Sequence, residues 1–466
     1  MELVGTDAIP LRVAIIGSGP AAFYAADHLL KQDGLRVEID MFERFPTPYG
    51  LVRTGVAPDH HKIKSVTKKF AAVASDPRFR FYGFVEFGKD IALSDLREHH
   101  HQILYATGAQ TDKHLGIPGE ELKGSHAANE FVGWYNGHPD FRDCQFDLSQ
   151  ERAAIVGVGN VAVDVARILC LTPDELAVTD IASHALEALS QSRVKEVYLL
   201  GRRGPAQATF TNPEIKELDN LADADIFVLP GEAQLDDLSR AALEASDDRA
   251  TRRKVEILQG YAARKPAGRT RQLTIRFLVS PVELLGNAAG QVVAMRLVKN
   301  ALYQTEAGTL SHKATDRVEE LSTGLVFRSV GYRGTPLPGV PFNERWGVIL
   351  NENGRVIDPE TQQPVVGEYC SGWIKRGPIG VIGTNKPDSV ETVNCMLEDL
   401  AHGSILRPSE PEVSKTEHLV RERQPKYFSF ADWLRLDEIE VKNGRAQGRP
   451  RDKFTRVEDM LAALGR

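Results

Sequence analysis

The sequence holds only four cysteines, Cys144, Cys170, Cys370 and Cys395, and no two of them stand in a Cys-x-x-Cys pair. That scatter gives neither a thioredoxin-like dithiol nor a structural zinc site, and no clustered set for an iron–sulfur centre. Buried, inert thiols are expected, with no metal bound. Redox chemistry, if there is any, must come from a bound group. Long apolar runs are also missing, since none reaches the roughly 18 residues of a membrane span. The opening "MELVGTDAIPLRVAIIG" has neither the basic start nor the cleavage pattern of a signal peptide. With a net charge of −7 the chain lacks the basic excess of a general nucleic-acid binder. A soluble, cytoplasmic and monomeric protein is expected. Its 466 residues exceed one compact core, so two or three domains are expected.

What is present begins with "RVAIIGSGPAAFYAADHLLKQDGLRVEIDMFE". Residues 13–16 read as a short apolar strand, residues 21–30 as a helix and residues 37–42 as a second strand ending at Glu43. Between the first strand and the helix, Gly17, Gly19 and Ala22 supply a G-x-G-x-x-A pattern. The first glycine allows a tight turn, the second lets backbone approach a pyrophosphate, and the small third residue packs helix on strand. Glu43 follows Gly17 by 26 residues, near the spacing at which an acid accepts from a ribose 2′-hydroxyl. An adenine dinucleotide without a 2′-phosphate is expected here.

The pattern recurs in "AAIVGVGNVAVDVARIL", with Gly157, Gly159 and Ala162 and a helix over 161–169. An inserted stretch, "LTPDELAVTDIASHALEALSQSR", delays the next strand, residues 197–200. Where the acid belongs, 45 residues after Gly157, stand Arg202 and Arg203. A guanidinium leaves a 2′-hydroxyl unmatched but pairs in two-pronged fashion with a 2′-phosphate. The second ligand is therefore expected to be NADP(H). Two dinucleotide sites imply two cofactors exchanging a hydride, and the N-terminal site suits a permanently bound flavin, FAD.

The fold expected is α/β, with two Rossmann-like dinucleotide-binding domains. "HHQILYATGAQ" and "TGLVFRSVGYRGTPLPG" read as outward and return crossings. The NADP domain would span 110–333, inserted into an FAD domain built from 1–109 and 334–466. Residues 213–260, rich in Asp, Glu and Ala, read as mostly helix and loop on the NADP domain. In "GEYCSGWIKRGPIGVIGTNKPDSVETVNCMLEDL" a strand over 368–371 leads to Trp373 and a loop with Gly377, Gly380 and Gly383. Thr384 or Asn385 would then cap a helix to about residue 400. Such a loop can lie against a flat ring, and the helix start can face the anionic edge of a reduced flavin. Trp373 would pack beside that ring, and Leu51 and Val52, after the turn "PTPYG", would sit on it.

These stretches together resemble adrenodoxin reductase and the adrenodoxin-reductase-type ferredoxin–NADP reductases. The similarity runs in order through "IIGSGPAAFYAA", "FPTPYGLVRTGVAPDH", "YATGAQ", "FVGWYNGHP", "GVGNVAVDVARIL", "LLGRRGPAQATFT" and "GWIKRGPIGVIGTNK", from residue 13 to 386. The resemblance implies FAD at the first site, NADPH at the second, and electron delivery to a ferredoxin or adrenodoxin-like iron–sulfur protein. It implies FAD contacts at Glu43, Leu51, Val85, Trp373 and the backbone of Gly380, Val381 and Ile382. For NADP it implies Asn160, Val161, Arg202, Arg203 and Glu214, with Gly380 contacting NADP as well. His60 and Asp164 match a polar pair expected beside the flavin to assist charge transfer. An acidic partner would be steered by Lys62, Lys64, Lys68 and Lys69, or by Arg249, Arg252, Arg253 and Lys254. The sequence departs from the family at His61, where relatives often carry proline, and at Lys113, where some carry arginine. Two other readings stand beside the reductase: an NADPH-dependent flavin monooxygenase, and a redox-sensing module that binds FAD and NADPH without turnover.

Overall fold

A computed structural model describes residues 3–466. The chain forms two units, one built from Met1–Thr111 with Tyr332–Arg466 and one from Asp112–Gly331. No described helix is long and apolar enough to cross a membrane.

The first unit is organised on a seven-stranded sheet in the order Asn351–Glu352, Arg355–Ile357, Pro364–Cys370, Gln102–Tyr105, Leu11–Ile16, Val37–Glu43, Phe79–Gly83. The last five strands run parallel. Leu11–Ile16 is buried at every residue, as a central parallel strand covered on both faces must be. Chain order reverses about this strand, and ligands of such sheets bind beyond the carboxyl ends at that reversal. Register brings those ends level: Ile16 pairs with Phe42 on one side and Tyr105 on the other, and Tyr105 with Cys370. Gly17, Glu43, Ala106 and Ser371 therefore leave the sheet along a single edge.

Within this unit a polar cluster is buried among apolar strands. Arg12, Arg80 and His100 all converge on the Asp40 carboxylate, with Arg80 Nε at 2.6 Å and His100 Nε2 at 2.9 Å. Burial alone would raise the Asp40 pKa, but Arg12, His100 and Arg80 hold it below the usual carboxylate range. The final 60 or so residues fold as three helices: Val413–Arg423, Phe430–Ala446 and Val457–Ala463. Trp433, Leu436 and Met460 from them share one core with Phe23, Tyr49 and Phe70.

The second unit carries a six-stranded parallel sheet: Ser125–Ala127, Leu325–Arg328, Arg152–Val156, Glu196–Leu200, Arg271–Arg276, Ala224–Val228. Residues 213–260 are mostly helix and loop, as expected, apart from Ala224–Val228, whose buried-half-buried alternation fits a sheet edge. The insertion before Glu196–Leu200 forms two short helices, Pro173–Ala177 and Ser183–Ser190. Sequence reading also passed over a three-stranded antiparallel sheet, Val279–Gly286, Val292–Gln304 and Leu310–Ser322. Its signal was present in β-branched runs separated by the turns "GNAAGQ" and "TEAGT".

Candidate functional site

Each unit presents one glycine loop, and in each the two glycines have different physical reasons to be there. Gly17 has φ +98° and Gly157 φ +139°, conformations that L side chains rarely adopt. A Cβ on Gly17 would stand 2.6 Å from the Ala106 carbonyl oxygen, and one on Gly157 2.2 Å from that of Ser329. The fold itself requires both. Gly19 and Gly159 are different. Both have extended backbone, φ −78° and −103°, that any residue could adopt. A Cβ on Gly19 would meet nothing within 4 Å, and one on Gly159 only Thr209 Oγ1 at 3.4 Å. Nothing in the protein needs these two to be glycine, but a pyrophosphate lying against the start of the following helix would. The loops fit a dinucleotide.

At the first loop, the helix Pro20–Leu30 starts directly after Gly19, with Ala22 fully buried against the sheet. Glu43 ends the neighbouring strand, and its Oε2 accepts from Ser18 N at 3.2 Å and Ser18 Oγ at 2.7 Å. Its Oε1 accepts from Phe45 N at 3.1 Å. Burial raises its pKa despite these donors. Two donors fill Oε2, so a ribose hydroxyl would be received at Oε1. Tyr49 N donates to Ser18 O at 3.0 Å, and Gly50 lies so near Gly19 that a Cβ on it would be 3.1 Å from Gly19 Cα. The next residue, Leu51, is 42% exposed, whereas Val52 is 1% exposed and belongs to the core. Only Leu51 is presented outward, which corrects the pairing of Leu51 with Val52. Val85 is buried, and its N–H donates to the Glu43 carbonyl at 2.9 Å.

The same edge receives the turn after Pro364–Cys370. Gly372 abuts the helix start, where an added Cβ would sit 2.7 Å from Ala21 Cβ. Asp388 braces this turn, accepting from Gly372 N at 2.6 Å and Ser371 Oγ at 3.1 Å. Trp373 stacks on Tyr332 with centroids 5.9 Å apart, and its buried Nε1–H has no acceptor among the described residues. A buried indole N–H ordinarily finds a partner, so this one points to an acceptor on a bound group. Beyond it Gly380 is exposed, as are Ile379 and Val381, and Ile382 opens a short 3₁₀ turn before the helix Asn385–Ala401. Neither expected cap forms. Thr384 Oγ1 donates to Val381 O at 2.6 Å, and Asn385 Nδ2 to Ile382 O at 3.2 Å. Both side chains fold the loop back on itself and leave the helix N–H groups open. An exposed apolar loop, an orphaned indole N–H and an uncapped helix start together fit an isoalloxazine ring.

At the second loop, the helix Asn160–Cys170 follows Gly159, and Ala162 is fully buried. Asn160 Oδ1 accepts from Thr211 N at 2.8 Å, and Val161 is half-buried at the helix start. Asp164, 9% exposed, pairs with Arg167 Nη2 at 2.7 Å. Glu214 sits in the first turn of Asn212–Glu217 and acts electrostatically on the same Arg167. Arg202 and Arg203 leave the strand end Leu200 through Gly201, and neither guanidinium has an acidic partner among the described residues. Burial and then Arg202 lower the pKa of Arg203. Two adjacent cations held without a counter-ion make a preformed anion site. Missed by sequence reading, His312 shares that field: burial, then Arg202 and Arg203, lower its pKa.

In the first unit, His60 is buried just ahead of the short helix His61–Lys64, its N–H donating to Ala57 O at 3.1 Å. Lys113 N donates to Gly331 O at 3.0 Å in the second unit. Of the basic residues, Lys62 and Lys68 are exposed with no carboxylate partner among the described residues. Lys69 pairs with Asp27 at 2.8 Å and Arg253 with Glu256 at 2.7 Å, while Arg252 Nη2 donates to Leu243 O at 3.1 Å. Burial raises the pKa of all four thiols, that of Cys170 to about 12, so none is activated.

A family model described as pyridine nucleotide-disulphide oxidoreductase matches residues 11–199. A Mycobacterium tuberculosis protein named probable ferredoxin/ferredoxin–NADP reductase is 47% identical over 97% of this chain and 76% of its own length. The human mitochondrial NADPH:adrenodoxin oxidoreductase is 41% identical over 97% of this chain and 92% of its own. A solved structure of M. tuberculosis FprA in complex with NADPH superposes with a TM-score of 0.92 at 44% identity, covering 98% of this chain and all of that one.

Proposed function

The chain belongs to the NADPH–ferredoxin reductases of the adrenodoxin-reductase type, and from that membership we propose that it oxidises NADPH and passes electrons to a small iron–sulfur protein. The observation that carries the reading is the opposite chemistry at two like loops: a carboxylate, Glu43, beside the first and unpaired arginines, Arg202 and Arg203, beside the second. The chemistry that FAD supplies when bound is acceptance of an electron pair from a nicotinamide and its release one electron at a time.

The rest falls to the chain's own side chains. The first unit is the FAD-binding domain and the second the NADP-binding domain. Gly17, Gly19, Ala22 and Glu43 hold the adenosine diphosphate half of FAD, with Leu51, Val85, Trp373 and the Gly380–Ile382 backbone around its ring. Gly157, Gly159, Asn160, Val161 and Ala162 hold the NADPH pyrophosphate, Arg202 and Arg203 the 2′-phosphate, and Glu214 a ribose hydroxyl. His60 and Asp164 assist proton and charge movement near the ring, and Gly380 leaves room for the nicotinamide. Orientation of the two rings supplies much of the rate. Lys62 and Lys68 are the docking cations, since the acids and carbonyls of its own unit already engage most of the second basic group. The dithiol acceptor that the broad family's description suggests has no counterpart among four unactivated thiols.

The test is reduction of cytochrome c by NADPH with and without a panel of purified ferredoxins. Ferredoxin-dependent reduction is expected. NADPH oxidation that consumes oxygen only with an organic substrate would make the protein a monooxygenase, and absence of ferricyanide reduction would make it a binding module.

A further inference from the structure

The antiparallel sheet of the second unit lies over the turn that carries the two arginines. Asn300 Nδ2 donates to the Arg202 carbonyl at 2.8 Å, and Leu278 N donates to that of Arg203 at 3.1 Å. Leu302 reaches the same turn, its Cδ1 3.8 Å from where a Gly204 Cβ would stand. Leu302 is paired directly across the hairpin with His312, as Asn300 is with Ala314. Directly opposed residues of an antiparallel pair project from the same face. His312 therefore shares the face that Asn300 and Leu302 turn toward Arg202–Gly204.

We propose that His312 is a third cationic arm of the 2′-phosphate site, engaged when its imidazole is protonated, so that NADPH recognition tightens as pH falls. The proposal rests on the assignment of Arg202 and Arg203 to the 2′-phosphate. His312 is half-buried and has no carboxylate partner among the described residues. Its neighbours on the sheet face, Asn300, Leu302 and Ala314, carry no charge, and strand alternation turns Lys313 to the other face. From the facing helix comes Asp236, whose Oδ2 lies 4.0 Å from the Gly204 Cβ position and whose Oδ1 caps that helix through Ser239 N at 3.0 Å.

The balance is that of one proton. Burial and the two guanidinia keep the imidazole neutral around pH 7 in the free site, its pKa lying below the ordinary 6.5. A dianionic phosphate neutralises the arginines and reverses the field. One proton then moves from solvent to the ring as the phosphate binds, and the ring N–H becomes a charge-assisted donor. The gain is largest where the free ring is neutral but readily protonated. It fades at high pH, and below about 6 the phosphate takes up its own second proton.

The probe is adenosine 2′,5′-bisphosphate against 5′-AMP, titrated calorimetrically into the FAD-loaded full chain from pH 6 to 8.5, in two buffers of different ionisation enthalpy. Wild type is expected to take up a fraction of a proton with the bisphosphate and none with AMP. His312→Gln should bind the bisphosphate about tenfold more weakly near pH 6.5, a difference of about 1.4 kcal/mol, but nearly equally at pH 8.5. His312→Lys should bind tightly across the range with a flattened profile. Equal affinity and proton uptake in wild type and His312→Gln would overturn the proposal. The double variant Arg202→Ala/Arg203→Ala separates the two levels. If it still prefers the bisphosphate to AMP, the assignment of the pair has failed and His312 with it. If it loses that preference while His312→Gln behaves as wild type, only the role of His312 has failed.

Discussion

Replacing Gly19 with valine should abolish flavin binding and leave the fold nearly untouched, whereas Gly17→Ala should damage both. At Gly19 the backbone is φ −78°, ψ −176°, open to any residue, with no atom within 4 Å of an added Cβ. Restricting the unfolded chain at a compatible glycine gains about 0.4–1 kcal/mol. Gly19 also precedes the helix as its N-cap, where glycine outranks valine, and losing a good cap costs about 0.5–2 kcal/mol. The two terms nearly cancel, so the apoprotein should unfold within about 1 kcal/mol of wild type. Gly17→Ala instead forces φ +98° on an L residue, about 1–2 kcal/mol, before the 2.6 Å approach to Ala106 O is relieved by moving backbone. The assays are urea unfolding of the apoproteins and flavin absorbance per chain after purification. A folded Gly19→Val protein with one flavin per chain would refute the reasoning. So would a variant whose apoprotein is as unstable as Gly17→Ala.

Glu440 is fully buried and holds Arg53 through Oε2 at 2.8 Å, Arg451 at 3.0 Å and Phe454 N at 2.9 Å. Glu440→Gln should destabilise the first unit by about 3–5 kcal/mol, as loss of one partner of a buried pair does, and it should weaken FAD retention through the Leu51 turn; an unchanged unfolding midpoint would count against the clamp. His101 Nδ1 accepts the buried Arg12 N–H at 3.0 Å, and burial, with His100 and Arg12, pushes its pKa down to about 4. The unfolded ring protonates near 6.5, so the stabilising contribution is intact above that pH and is lost as pH falls from 6.5 toward 4. His101→Asn, which keeps an acceptor, should show a shallower fall of the thermal midpoint across that window. His60→Gln should slow ferredoxin-linked cytochrome c reduction more than ferricyanide reduction, and parallel loss with FAD retained would place His60 in cofactor geometry instead.

Both sheets were legible wherever their strands are continuously apolar and end in glycine. Leu11–Ile16 and Glu196–Leu200 differ from the sequence reading by one or two residues at an end. Local chemistry alone fixes that pattern. The antiparallel sheet was not legible in the same way, because Leu310–Ser322 is largely exposed and polar and its register depends on partners distant in sequence. His312 was invisible for this reason. It lies 110 positions after Arg202, and only the hairpin pairing brings it to the turn. The caps failed for a different cause: Thr384 and Asn385 are the residue types that cap helices, but here the carbonyls of Val381 and Ile382 take their side-chain donors. The core role of the C-terminal helices was not legible because nothing local to Trp433, Leu436 and Met460 says that they pack with Phe23, Tyr49 and Phe70, some 360 or more positions earlier.

The two loops also explain why one motif can serve two cofactors without confusion. The glycines decide only that a pyrophosphate can approach, and they do so in the same way at Gly19 and Gly159, where no backbone stands within 4 Å of an added Cβ. Discrimination is left to the end of the second strand, where Glu43 is tied by Ser18 and Phe45 while Arg202 and Arg203 remain untied. A carboxylate already fixed by neighbouring donors presents a rigid acceptor and repels a 2′-phosphate at close range. The two adjacent guanidinia repel each other, and an anion bound between them relieves that repulsion, so part of the binding energy of NADPH comes from ending it. The first site should therefore hold its ligand by fit, with little response to salt, and the second by charge, with affinity falling as salt screens the pair. That difference is what a permanently bound cofactor and an exchangeable one require of a single chain.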